Sequence, residues 1–192
     1  MIEPSIPKRQ LRRLEESIAG TKKKLPKEVA IAINKTTPAV TRAVAKAVQE
    51  HVKLPQKSIK EKMPKPKRAS ESQLHTVVKL KQSNRFGLRH FNAKQNKAGV
   101  KYTVSKDSGR QFIAGAFQGP KPGVMKTSWK GNVFKRAGKK RLPIVHLRGP
   151  SPWGVFVKNN KRRSVVKIAN AELKKQIQKR VQFNLFKKQG AS

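Results

Sequence analysis

The sequence predicts an α+β fold: N-terminal helices, a mostly antiparallel sheet and a C-terminal amphipathic helix. Three patterns carry that expectation. Apolar residues fall at helical offsets in the first third, alternate between turn residues in the middle, and repeat every four positions near the end.

Taken in order, Leu11, Leu14 and Ile18 predict a short amphipathic helix ending near Gly20. Pro26 suits the first turn of a second helix, where Glu28 complements the helix dipole. Val29, Ile33, Val40, Val44 and Val48 trace its apolar stripe, with alanines on the flanks. Pro38 lies inside that stripe. It removes a backbone donor and crowds the preceding turn, so a kink or a break is expected there. Ser58 and Glu61 have capping-box spacing, which predicts a further short helix.

Between residues 62 and 73 the composition shifts to proline and lysine, as in Met63-Pro64-Lys65-Pro66-Lys67-Arg68. Such a run reads as an exposed linker, serving either as a solvated spacer or as a basic arm along phosphates. Beyond it, Leu74 to Lys81 alternates strictly and predicts a strand. Asn92 to Gly99 lacks enough apolar residues for an element and reads as a loop. Val100 to Val104 and Phe112 to Phe117 are two more strands, joined through Ser108-Gly109. Gln118 to Gly123 is a loop. Val133-Phe134 and Leu142 to Leu147 form a hairpin across the basic turn Arg136 to Arg141. Val165, Ala169, Leu173, Ile177, Val181 and Leu185, with Ile168 beside them, then mark a long amphipathic helix. The expected organisation is a helical segment 1–61, a basic linker 62–73, and a sheet with the last helix over 74–192, all in one domain.

Charge sets the partner class. Forty-seven lysines and arginines face nine acidic residues, for a formal net charge of +38. Self-repulsion of that size calls for a polyanion or an acidic partner, and nucleic acid supplies regularly spaced phosphates whose counterions are released on binding. The hydrophobic share of 35% implies a thin core or one completed by neighbouring subunits. Cysteine is absent, which excludes disulfides, thiolate metal sites and cysteine nucleophiles. No apolar run approaches the ~18 residues of a membrane span, and Met1 to Arg13 lacks a signal-peptide core. A soluble, cytosolic setting is expected.

Catalysis finds little material. His51, His75, His90 and His146 are far apart in sequence and in no metal-ligand spacing. Asp107 is the only aspartate, and from residue 62 onward only Glu71, Asp107 and Glu172 are acidic. That is too few for a two-metal nuclease or a paired-carboxylate site. Glycines 115, 119 and 123 are followed by no Gly-Lys-Ser/Thr, and the prolines between them remove amide donors. No enzyme, cofactor or metal is expected. Zinc-finger spacing, RNP-type aromatic motifs and basic zippers are missing too, which leaves backbone attraction without sequence readout.

Two stretches resemble the minor tail protein Z family of lambda-like tailed phages. One is Leu25 to Ala69, whose alanine-rich Ala32-Ile33-Asn34-Lys35 helix continues into a second helix and a basic segment. The other is Gly131 to Ile144, GNVFKRAGKKRLPI, with its aromatic–basic–Ala-Gly-Lys–basic–Pro-Ile order. A basic C-terminal helix follows in both chain and family, so the resemblance covers about half the chain, and Gln82 to Lys130 does not align. The resemblance implies a tail-completion protein of the head–tail neck, assembled in the host cytoplasm and located in the virion. It also implies a homo-oligomeric ring, commonly of six, meeting a tail terminator, a connector or stopper, and a tape-measure protein. The positive charge would then hold the genomic double-stranded DNA end, whatever its sequence. Lys62, Lys65, Lys67, Arg68, Lys139, Lys140 and Arg141 are the expected DNA or partner contacts. Val29, Ile33, Val44, Val48, Leu173, Ile177 and Val181 are the expected subunit-packing residues. The rival readings are a ribosomal or other RNA-scaffold protein and a histone-like DNA-compacting protein.

Overall fold

The computed structural model describes residues 8–17, 25–120, 129 and 131–189. Helices α1 (Lys8–Ser17), α2 (Leu25–Gln49) and α3 (Gln56–Glu61) come first. Strands β1 (Lys94–Asn96), β2 (Gly99–Tyr102), β3 (Gln111–Ala114), β4 (Ala116–Gln118), β5 (Val133–Arg136) and β6 (Ile144–His146) follow, then α4 (Pro152–Lys158) and α5 (Arg162–Gln189). The fold is α+β, as the periodicities require.

The chain divides into two compact units that are not continuous in sequence. One comprises residues 1–47, 63–79 and 160–192; the other comprises 48–62 and 80–159. In the first, Val29, Ala30, Ala32 and Ile33 of α2 pack with Leu173 and Ile177 of α5, and Ala69 joins them. Leu11, Leu25 and Val181 close the edges of this cluster. Glu28, in the first turn of α2, accepts both guanidinium hydrogen bonds of Arg180 on α5, the second at 2.9 Å. With both side chains more than four-fifths buried, this bidentate pair fixes helix register more firmly than a surface pair would.

Residues 62–73 carry no regular structure, yet they are not a free spacer. The Asn34 side chain donates to the Ala69 carbonyl at 2.9 Å and accepts from its amide at 2.8 Å. Thr76 donates its hydroxyl to the Lys67 carbonyl at 2.7 Å. The strand expected from Leu74 to Lys81 is absent: the segment joins no ladder. Its alternation has another cause, because Thr76 and Val78 line a small cavity with Ile33, Thr36, Val40 and Leu173. Alternate residues face a helix instead of a neighbouring strand.

Pro38 does not break α2, which runs through it. The carbonyl of Asn34 loses its helical donor to the proline ring. Around that gap the hydroxyls of Thr36, Thr37 and Thr41 donate to the carbonyls of Ala32, Ile33 and Thr37 at 2.9 Å each. The helix expected near Ser58 exists, but Pro55 is its N-cap and no side chain caps it. Ser58 is an interior residue of α3. The expected end of the first helix at Ile18 and Gly20, and Lys121 to Gly123 of the expected loop, lie outside the described residues.

The second unit holds two three-stranded antiparallel sheets, β1-β2-β3 and β4-β5-β6, where a single sheet was expected. Asn92 to Gly99 is not a loop: Lys94 to Asn96 forms β1 and pairs with Gly99 to Lys101. Phe112 to Phe117 is not one strand either, because Gly115 adopts φ +68° and passes the chain from β3 in one sheet to β4 in the other. Buried Ile59, Phe86, Leu88, Phe91, Val100 and Val133 form much of this unit's interior. Helix α4 was not foreseen. Ser151 caps it, its hydroxyl accepting from the Gly154 amide at 3.1 Å, with Pro152 in the first turn.

Candidate nucleic-acid interface

The expected hairpin is present and carries an exposed run of cations. β5 and β6 pair in the register Phe134↔His146, Lys135↔Val145 and Arg136↔Ile144. Every residue from Lys135 to Pro143 is exposed. Two contacts shape the turn. Arg136 donates to the Arg141 carbonyl at 2.6 Å, and the Ala137 amide donates to the Pro143 carbonyl at 3.0 Å. Lys139, Lys140 and Arg141 therefore stand together at the tip of a defined turn. No Asp or Glu occurs in the sequence between Asp107 and Glu172, so nothing on these strands neutralises them.

The linker cations divide between the units. Lys62 belongs with the hairpin's unit, and its ammonium lies 5.9 Å from the centroid of the Phe86 ring. Its carbonyl accepts from Asn84 at 2.6 Å. Lys65, Lys67 and Arg68 belong to the other unit, and all three are exposed.

The residues expected to pack subunits have a place inside the chain. Val29, Ile33, Leu173 and Ile177 form its helical core, Val44 and Val48 are 1% exposed, and Val181 borders the core. Their burial leaves little apolar area on them for a second copy. The large apolar side chains still exposed on α5 are Ile168, Phe183, Leu185 and Phe186.

In the sequence Phe117, Trp129, Phe134 and His146 fall in no RNP-type aromatic motif. The structure gathers four rings on β4-β5-β6: Phe117, Trp129, Phe134 and His146. The available signal was strand alternation, which places Phe117 and Phe134 on one face once the register is known. His146 is held below its ordinary pKa by burial and then by the charges of Arg148 and Arg89. His90 is lowered by burial, Arg89 and Lys62 against a raising effect of Glu61. Both are therefore largely neutral at pH 7. Among the described residues no three His, Asp or Glu side chains converge as metal ligands do, and no described helix is long and apolar enough to cross a membrane.

Fold and surface together define a class: a strongly basic α+β protein whose organised feature is a cationic, exposed hairpin. The particular family follows from comparison. The family of prophage minor tail protein Z matches residues 9–189, and the chain belongs to it. No curated protein and no solved structure matches the chain. Membership makes this a phage structural protein of the tail, with the virion tail as its location and no enzymatic role implied.

Proposed function

We propose that the protein is a tail-completion component at the head–tail interface, where copies form a ring and hold the end of the double-stranded genome by electrostatics without sequence readout. The observation that carries this reading is the Lys139-Lys140-Arg141 tip, exposed on a shaped turn within a stretch free of acidic residues. Three adjacent cations on a projecting hairpin follow a phosphate backbone, release counterions and contact no particular base. A ring multiplies these weak contacts, because each further subunit engages DNA that is already held. Lys62, Lys65, Lys67 and Arg68 would add contacts from their own units. The acidic surfaces that cationic patches could meet belong, on this reading, to a terminator, connector or stopper, or tape-measure protein. Family membership favours this account over the RNA-scaffold and histone-like alternatives.

The test is made in assembled particles carrying Lys139→Glu, Lys140→Glu and Arg141→Glu together. Charge reversal at an exposed tip leaves the fold intact. Tails are expected to attach, while crosslinking between the genome end and this protein falls and infectivity drops with it. Normal crosslinking and infectivity would remove the hairpin from the mechanism.

A further inference from the structure

We infer that the β4-β5-β6 sheet carries a stacking platform for unpaired nucleobases, making single-stranded nucleic acid a second ligand class. The inference uses the nucleic-acid reading of the hairpin only for backbone attraction; the platform stands on separate geometry.

That geometry begins with register. Phe117 pairs with Phe134, and Phe134 pairs with His146, so the three side chains form one cross-strand row on one face. Their ring centroids are 6.1 Å and 5.2 Å apart. Trp129 extends the row, with its ring 5.0 Å from Phe134. It is held there by design of the backbone. The Asn132 amide donates to the Trp129 carbonyl at 2.7 Å, and the Gly119 amide donates to the Asn132 carbonyl at 2.9 Å. A Cβ at Gly119 would lie 2.8 Å from the Trp129 Cβ, so only glycine allows the indole this close to β4.

The opposite face reaches the core at two positions. Val133 is fully buried there and Ala116 is 5% exposed. The large rings thus sit on the face away from these two core residues, half-buried, with Trp129 37% exposed. Their orientation differs from interior packing in the same unit. Phe86 meets Phe91 edge-on at 88°, whereas the platform rings are inclined to one another by only 30–48°. Phe117 and Phe134 stack on one another and Trp129 is the exposed ring beside them, and an exposed ring face is what a base stacks on.

Charge identifies the occupant. Arg136 places its guanidinium 5.5 Å from the Phe117 centroid, and the hairpin tip continues from the same strand. Aromatic faces beside cations match a ligand that alternates flat bases with phosphates. Duplex DNA presents its phosphates but keeps its base faces stacked; a single strand presents both. His146, neutral at pH 7, adds a ring to the row without adding charge.

The chain has two tryptophans, so Trp153→Phe leaves Trp129 as the sole indole reporter. Its fluorescence is followed on addition of oligodeoxythymidine, a blunt DNA hairpin with the same number of phosphates, and heparin. Oligodeoxythymidine is expected to quench Trp129, with little quenching by the other two at equal occupancy measured by anisotropy. Trp129→Leu should weaken oligodeoxythymidine binding about tenfold and leave blunt-hairpin binding unchanged. Equal quenching by heparin or the blunt hairpin, or unchanged oligodeoxythymidine affinity in Trp129→Leu, would overturn the platform. The two readings fail separately. Blunt-hairpin binding without selective quenching sinks the platform alone; selective quenching without blunt-hairpin binding sinks the duplex role and leaves the platform standing.

Discussion

His146 shows how one side chain can report on its whole environment. Its Nε2 is buried without a hydrogen-bond partner, and burial followed by the charges of Arg148 and Arg89 disfavours the imidazolium. In the unfolded chain the ring takes a proton near the ordinary 6.5; in the folded chain it does so only at lower pH. The unfolded state therefore binds more protons across that window, and stability falls as pH drops through 6.5. Below the folded pKa the loss is complete. His90, facing Arg89, Lys62 and Glu61, contributes with the same sign. The urea midpoint is accordingly expected to be lower at pH 5.5 than at pH 7.5. His146→Phe, which keeps a ring in the row and removes the titration, should flatten part of that dependence. Parallel pH profiles for the two proteins would show that His146 does not titrate between the folded and unfolded states as its surroundings require.

Among the elements, α2 offers the sharpest test because it keeps a proline where a helix normally stops. Pro38 is exposed, so its ring adds little packing, while the Asn34 carbonyl lacks a helical donor. Pro38→Ala restores that donor and is expected to stabilise the protein by about 1 kcal/mol, part of the helical gain being offset by a freer unfolded chain. Urea denaturation measures it; a destabilised variant would mean that the proline is needed for the shape of α2. The same helix shows what was legible in the sequence. Its stripe of Val29, Ile33, Val44 and Val48 is visible because a helix repeats its buried face locally. So is the stripe of α5, and so is the β5-β6 hairpin, whose two strands are close in sequence. The row of Phe117, Trp129, Phe134 and His146 was not legible. It depends on the pairing of β4 with β5 across Gly119 to Asn132, and no local period encodes that register. Leu74 to Lys81 misled for a related reason: alternation reports one covered face, and the cover here is a helix.

Across the whole molecule, charge dominates. Copies that each carry +38 repel, so a ring of this chain is expected to assemble on DNA or against acidic partners more readily than alone at low salt. The exposed Phe183, Leu185 and Phe186 of α5 are the apolar area that such assembly could still cover. The division into two units made of interleaved segments follows from α2 and α5 packing together from opposite ends of the sequence. A linear reading of composition cannot show that closure. The central claim is electrostatic holding of duplex DNA through the hairpin tip, and a salt titration tests it most directly. Affinity for a blunt duplex is measured against salt concentration for the unaltered protein and for Lys139→Glu, Lys140→Glu, Arg141→Glu. The logarithmic slope should become shallower by about 2.7 if each lost contact contributes ~0.9, and changing the duplex sequence should not alter it. Identical slopes for the two proteins, or strong dependence on sequence, would contradict the claim.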